Sequence, residues 1–416
     1  MARFALARRP EITLSYYDKA TGSFLAVNPA WAEHIISWEG AVGRRRHHLL
    51  RLVPSPYAAV GMLERLRSSC AHHATARAIA YVQRGLLRLR RRRRRGVVPF
   101  HLAIGGPLTL GPGDVILSTG SDWTNKDAAA ILALKRAFGF RYAVMCHDII
   151  PLILPRYFLA DDIEAFRRYW DIMLASADLI LVYSQCTARD VKSYCDHKNL
   201  PLSGMRLVRL GCDAVRSKTE LTLPERLERD HFILYVSTIE PRKGHDLLLR
   251  VWGRLLADGI PQRHGFKLVF VGRRGWQADA VLRELDDAAA FEGTLMHLAG
   301  IGDDDLAALY RGAAFCVYPS LYEGLGLPVI EAFLHKKPVI ASSGGALPET
   351  VGALSPCLDP TDEAAWYETL KQWIGDPRIR LAYETKIAAG FSPLTWEQAA
   401  SDIFASLREA QPSKQN

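Results

Sequence analysis

Two glutamates, Glu323 and Glu331, lie eight residues apart in Glu323-Gly324-Leu325-Gly326-Leu327-Pro328-Val329-Ile330-Glu331. The apolar run Ala313-Ala314-Phe315-Cys316-Val317-Tyr318 before them reads as a buried strand. Val329 to Lys337 behind it read as a helix, with Pro328 at the first helical position. A strand, a glycine turn and a helix start make a pocket for an anion, because unpaired amides and the positive end of the helix dipole point at one spot. Glu331 falls in the first turns of that helix, where side chains lean back toward the N-terminus. Its carboxylate therefore reaches what is bound at the mouth. An acid beside an anion site suits hydroxyls better than phosphate. A ligand carrying both, such as a nucleotide sugar, fits the arrangement.

Other chemistry-bearing residues also follow strand-like runs. Thr238-Ile239-Glu240-Pro241-Arg242-Lys243-Gly244 puts adjacent Arg and Lys at a strand–helix junction. Arg offers a planar fork and Lys a point charge, a pair suited to a diphosphate. The competing reading is a solvated basic turn, against which stands the unfavourable placing of cations at a helix start. Gly272-Arg273-Arg274-Gly275-Trp276 is a further loop, either lining the cleft or a plain turn. His147-Asp148 forms a polar strand end, although a histidine so placed is often only a hydrogen-bonded core residue. In Gly120-Ser121-Asp122-Trp123, Asp122 is a hydroxyl acceptor or a helix N-cap, and Trp123 a sugar platform or a packed aromatic. No Asp-x-Asp stands at a strand end to hold a metal. Asp303-Asp304-Asp305 reads as an N-cap and first helical turn.

These residues need elements to hold them. From residue 232 onward, short apolar runs at Phe232–Ser237, Lys267–Gly272, Thr294–Gly300, Phe315–Ser320 and Pro338–Ser342 alternate with helical patterns. In His245–Gly259 the apolar positions 247, 248, 251, 252, 255 and 256 share one helical face. Such alternation implies a parallel sheet covered on both faces. In the first half Ile12–Asp18, Val97–Ala103, Asp114–Gly120, Arg141–Asp148, Leu179–Ser184 and Met205–Gly211 read as strands. Helical patterns occupy 58–94, 125–138, 161–176 and 186–198. The polar segment 214–230 reads as a linker. The expected organisation is an N-terminal Rossmann-like domain over 1–215, a C-terminal one over 216–395, and a crossover helix and tail over 396–416. Ligands in open α/β sheets sit beyond the carboxyl ends of the strands, so two facing domains place their active loops across one cleft.

With 416 residues, the chain is long for a single core. Its 49% hydrophobic and 23% charged residues are globular proportions. No apolar run approaches the roughly 18 residues of a membrane span, and the N-terminus reads as part of the folded protein rather than a signal peptide. The seven cysteines form no C-x-x-C pair and read as reduced core thiols of a cytoplasmic protein. Residues 1–215 carry 31 Lys and Arg against 17 Asp and Glu, and residues 216–416 carry 22 against 27. The basic half is densest at Arg88–Arg95. A solvated helix end, contact with an anionic membrane surface or acceptor, and nucleic-acid binding compete to explain this run. No recognition motif supports the last.

Taken together, the motifs resemble the retaining glycosyltransferases of family 4, with the GT-B fold. The resemblance runs from about residue 141 to 407 and rests on PSLYEGLGLPVIEA, on STIEPRKGHDLLL at 237–249, on HDIIPL at 147–152 and on Ser184–Tyr194. Bacterial polysaccharide mannosyl- and rhamnosyltransferases are the most similar type. The resemblance implies that Glu331 binds the donor ribose and that Arg242 and Lys243 neutralise the departing diphosphate. It places Glu323 near the donor sugar, with the backbone of Gly324, Leu325 and Gly326 beside it. Leu327 and Gly272 join the binding set, and His147 and Asp148 approach from the first domain. It further implies a hexose, mannose from GDP-mannose, moved with retention onto a glycan or lipid-linked glycan acceptor at the inner face of the cytoplasmic membrane. Neither a metal nor a cofactor is expected, and no nucleic-acid partner. The family's glycine-rich loop after the first strand is replaced here by Asp18-Lys19-Ala20-Thr21-Gly22. A nucleotide-sugar epimerase, a soluble glucan or disaccharide synthase, and a non-catalytic glycan- or RNA-binding scaffold are the alternatives. The scaffold leaves the two glutamates and the Arg-Lys pair unexplained.

Overall fold

The computed structural model describes residues 12–28, 104–120, 122–212, 223–224, 226–287 and 291–409. The expected helix at 58–94, the strand Val97–Ala103, the run Arg88–Arg95 and most of the linker at 214–230 lie outside the described residues. The described residues divide into two compact units, one within 9–108 and the other from 109 onward.

In the first unit, β1 (Ser15–Asp18), β2 (Ser23–Val27) and β3 (Ile104–Pro107) form an antiparallel sheet in that order. Tyr17 and Phe24 face each other across β1 and β2, ring to ring at 5.1 Å. The segment Asp18–Gly22 is the hairpin turn between them. The Asp18 carboxylate accepts from the Thr21 hydroxyl at 2.9 Å, and the Gly22 amide donates to the Asp18 carbonyl at 2.8 Å.

The second unit holds two wholly parallel sheets. One runs β4 (Val115–Ser118), β5 (Arg141–Cys146), β6 (Leu179–Val182), β7 (Gly204–Leu207) in spatial order. The other contains β8 (Phe232–Val236), β9 (Lys267–Val271), β10 (Leu295–Leu298), β11 (Phe315–Tyr318), β12 (Val339–Ser342) and β13 (Cys357–Leu358). Its spatial order is β10-β9-β8-β11-β12-β13. Counted within the domain this is 3-2-1-4-5-6, the doubly wound order. The four central strands β9, β8, β11 and β12 are buried on both faces, as continuous apolar runs require, and the edge strands β10 and β13 are half-buried. The helix His245–Ala257 turns Leu247, Leu248, Val251, Trp252 and Leu255 into this core. The helix Glu363–Gly375, capped by Asp362, adds Trp366, Leu370 and Trp373.

The fold is therefore α/β, and the second unit holds two Rossmann-like domains, the first built on the β4–β7 sheet and the second on the β8–β13 sheet. The final helix, Trp396–Glu409, leaves the second domain and packs on the sheet of the first. Ile403 and Leu407 are buried there with Ala143, Met145, Leu181 and Val208. Ile403→Ala empties part of this packing. It is expected to destabilise the chain by about 2 kcal/mol in urea denaturation, the low end for a buried aliphatic truncation.

Candidate active site

In a doubly wound sheet the ligand crevice opens where the strand order reverses. Here the reversal lies between β8 and β11, which pair directly. The loop after β8 carries Arg242 and Lys243, and the loop after β11 carries Glu323 and Gly324. The two loops meet closely. Gly244 has φ +71°, and a Cβ there would stand 2.5 Å from the Pro319 carbonyl oxygen, so both the conformation and the space select glycine.

Arg242 and Lys243 form the 3-10 turn Pro241–Lys243 rather than the first turn of the helix that follows. Both cations are paired. The Lys243 Nζ lies 2.6 Å from Glu323 Oε1, and an Arg242 terminal nitrogen lies 3.1 Å from the same oxygen. The other terminal nitrogen of Arg242 contacts Glu240 at 2.8 Å, and the guanidinium also donates to the Tyr322 carbonyl. Arg242, Glu240 and Glu323 are all buried. Burial opposes ionisation of Glu323, but Lys243 and Arg242 outweigh it and hold the carboxyl below the usual glutamate range. Glu240, which is buried with less compensation, is pushed upward. Behind the turn, His245 sits between Tyr235 and Phe270, its pKa pushed down to about 3 by burial and then by Lys243. It adds no positive charge.

The glycine turn behaves as its sequence suggests. The Gly324 carbonyl accepts from Ser184 Oγ at 2.8 Å and from Thr187 Oγ1 at 3.3 Å, and the Leu325 carbonyl accepts from Thr350. Among the described residues the amides of Gly324, Leu325 and Gly326 have no protein acceptor. The helix beyond them spans Leu327–Leu334, starting two residues earlier than expected, with Pro328 in its first turn and Leu327 exposed. Glu331 on this helix accepts from the Tyr310 hydroxyl at 2.8 Å. Burial raises its pKa, and the Tyr310 hydrogen bond pulls the other way.

Residues of the first domain close over the turn. A Cβ on Gly324 would stand 2.7 Å from both the His147 carbonyl oxygen and the Asp148 Cβ. The His147 ring is exposed and stacks on Tyr183 at 5.4 Å. The Asp148 carboxylate accepts from the Ile150 amide at 3.0 Å, and burial raises its pKa. Tyr322 donates to Asp190 at 2.8 Å, the Gln185 amide to Glu349 at 2.7 Å, and the Trp276 indole to the Tyr157 carbonyl at 2.8 Å.

The structure thus gathers Arg242, Lys243, Glu323, Gly324, His147 and Asp148. Gly272 stands at the end of β9, its amide bonded to the Leu298 carbonyl at 3.0 Å. Trp123 meets Phe166 edge-on at 5.5 Å. Asp122 opens the short helix Asp122–Asn125, and its side chain lies outside the described part. Asp303, Asp304 and Asp305 all lie in the first turn of their helix, behind an N-cap that is Gly302. Among the described residues no three His, Cys, Asp or Glu side chains gather as metal ligands do.

Sequence reasoning assigns no individual role to Glu240, Ser184, Thr187, Asp190 or Tyr310, although Glu240 stands in the 238–244 motif and Ser184, Thr187 and Asp190 in the stretch 184–194. Ser184 and Thr187 carried a signal: they are the N-cap Ser and the third helical residue of Gln185–Lys198. Their hydroxyls serve a second purpose across the cleft.

A family model for "Glycosyl transferases group 1" matches residues 220–388. O-antigen chain mannosyltransferase B of Escherichia coli is 31% identical over 265 residues, which cover 62% of this chain and 68% of that protein. The chain belongs to the group 1 glycosyl transferases. A further relative, the serotype-specific mannosyltransferase WbdA of Escherichia coli, is 28% identical over 268 residues, but the match spans only 32% of its length. Among solved structures, sucrose-phosphate synthase of Thermosynechococcus elongatus aligns with TM-score 0.54 at 20% identity, over 71% of this chain and 72% of that one. HepE of Anabaena in complex with UDP-glucose gives 0.56 at 16%, over 71% and 79%. At these identities the likeness concerns the fold, and it is the GT-B fold.

Proposed function

We propose that this group 1 glycosyl transferase moves a hexose from a nucleoside diphosphate sugar to a hydroxyl of a growing glycan. The observation that carries the reading is the pairing of Arg242 and Lys243 at the strand-order reversal, opposite a glycine turn whose amides have no protein acceptor among the described residues. Such groups stabilise the charge that grows on the diphosphate as the anomeric carbon–oxygen bond lengthens. The Glu331 carboxylate, on the helix Leu327–Leu334 that follows the glycine turn, takes the ribose hydroxyls. Mannose from GDP-mannose is the donor we favour, supported by the mannosyltransferase relatives. The first of these relatives, named for the O-antigen chain, supports a growing bacterial surface glycan as the acceptor, which we take to be lipid-linked.

Retention of anomeric configuration follows in this reading from same-face attack guided by the diphosphate. Glu323 is bound by two cations, which lowers its nucleophilicity. Its role is to position the cations and balance their charge. The two cations do what a divalent metal does elsewhere, so transfer needs no metal. His147 and Asp148 meet the sugar from the first domain, whose closure limits hydrolysis. No described helix is long and apolar enough to cross a membrane. A cytoplasmic site of action at the membrane's inner face is supported by the basic first half.

The test is turnover of GDP-mannose with a mannose-terminated, lipid-linked acceptor, the product linkage read by NMR. An α-linked product is expected. Glu331→Ala should raise the donor KM about thirtyfold, as expected for losing hydrogen bonds to a charged acceptor. No transfer from any nucleotide sugar, or an unchanged KM in the variant, contradicts the reading.

A further inference from the structure

We infer that Tyr310 orients Glu331 and thereby gives the donor site its preference for a ribose diol. The inference rests on the donor reading above and deepens it. Tyr310 lies on the helix Asp303–Gly312, a different element from the one that carries Glu331, and is 2% exposed. Its hydroxyl stands 2.8 Å from Glu331 Oε2 and 3.4 Å from the Pro328 carbonyl oxygen. A phenol has one proton to give, and the nearer, charged oxygen takes it. The ring is held flat against His335, with centroids 5.4 Å apart and planes at 14°. The donor is therefore fixed before any ligand arrives.

Among the described residues no Lys or Arg pairs with Glu331. Tyr310 is thus what sets the rotamer of a half-buried acid. A carboxylate offers about four lone-pair sites. Tyr310 occupies one on Oε2, and the remainder face two vicinal hydroxyls in a fixed direction. Without the phenol oxygen the carboxylate is free to turn, and the diol must bear the cost of ordering it. A sugar without those hydroxyls never uses the carboxylate and is indifferent to the change. Tyr310 touches no substrate in this scheme. It is a positioning residue.

Isothermal titration of the intact chain with GDP and 2′,3′-dideoxy-GDP, and with the matching UDP pair, tests this. The readout is the affinity ratio for whichever base binds more tightly. The wild-type chain is expected to prefer the ribo form by about tenfold or more. Tyr310→Phe should bring the ratio to about threefold or less, with the dideoxy affinity within about twofold of wild type. In a Glu331→Ala background the same change should have no further effect on the ratio, which keeps the test sharp if Tyr310→Phe alone lowers stability. A wild-type ratio in Tyr310→Phe overturns the inference. So does an equal loss for both nucleotides, the mark of a packing role alone. A wild-type chain with no ribose preference overturns the role of Glu331 as well, and this is seen before any variant is compared.

Discussion

Lys243→Ala is expected to slow glycosyl transfer about a thousandfold, near 4 kcal/mol of barrier, the upper range for removing one preorganised charge donor. Nζ lies 2.6 Å from Glu323 Oε1, and the side chain is 12% exposed, so solvent screens its field only weakly. Removing it leaves the departing diphosphate with Arg242 alone, a guanidinium already engaged by Glu240, Glu323 and the Tyr322 carbonyl. The fold should survive, because Arg242 still faces the Glu323 carboxylate at 3.1 Å. Lys243→Arg should recover little, since a planar fork does not replace a point charge in a confined position. Steady-state rates at saturating donor, beside thermal midpoints, separate the chemical loss from unfolding. A folded Lys243→Ala chain within about tenfold of the wild-type rate argues that the lysine meets no developing charge.

Gly324→Ala is expected to cost at least about a hundredfold in transfer, the scale for displacing groups at a reacting centre by about an ångström. The added methyl meets the His147 carbonyl oxygen and the Asp148 Cβ at 2.7 Å each, closer than a real Cβ tolerates. Both are rigid backbone or near-backbone atoms, so the loops themselves must part. Parting them lengthens the bonds from Ser184 and Thr187 to the Gly324 carbonyl and shifts the turn that carries the amides. Donor affinity should fall less than the rate, because Lys243 and Glu331 both belong to the second domain. Equal losses in both would mean that the glycine serves the donor pocket alone.

The second domain was largely legible. Strands at 232, 267, 294, 315 and 338 are continuous apolar runs, and the helix at 245 has a regular apolar face. Both signals are local, and both survive folding. Glu323 and the Arg-Lys pair lie on loops after strands, and Glu331 on the helix that follows the glycine turn, which puts them all at one end of the sheet. Their mutual pairing was not legible. Lys243 and Glu323 are 80 residues apart, and only the strand order 3-2-1-4-5-6 makes them neighbours. Basic residues near a helix start suggested an external anion, whereas the turn Pro241–Lys243 lifts them off the helix and Glu323 and Glu240 balance them. Nothing local in the sequence marks Tyr310, whose hydroxyl reaches Glu331 on another element. In the first unit β2 and β3 escaped notice because they are short, half-exposed and separated by 76 residues.

In the proposed reaction the two cations at the strand reversal grip a β-phosphate. The most direct measurement is calorimetric titration of the intact chain with GDP and GMP, and with UDP and UMP, before and after Lys243→Ala. One diphosphate should bind the wild-type chain at least about tenfold more tightly than its monophosphate, the scale of one charged contact, with the ratio falling toward one in the variant. Binding of no nucleotide at all, or a ratio untouched by losing Lys243, would contradict it.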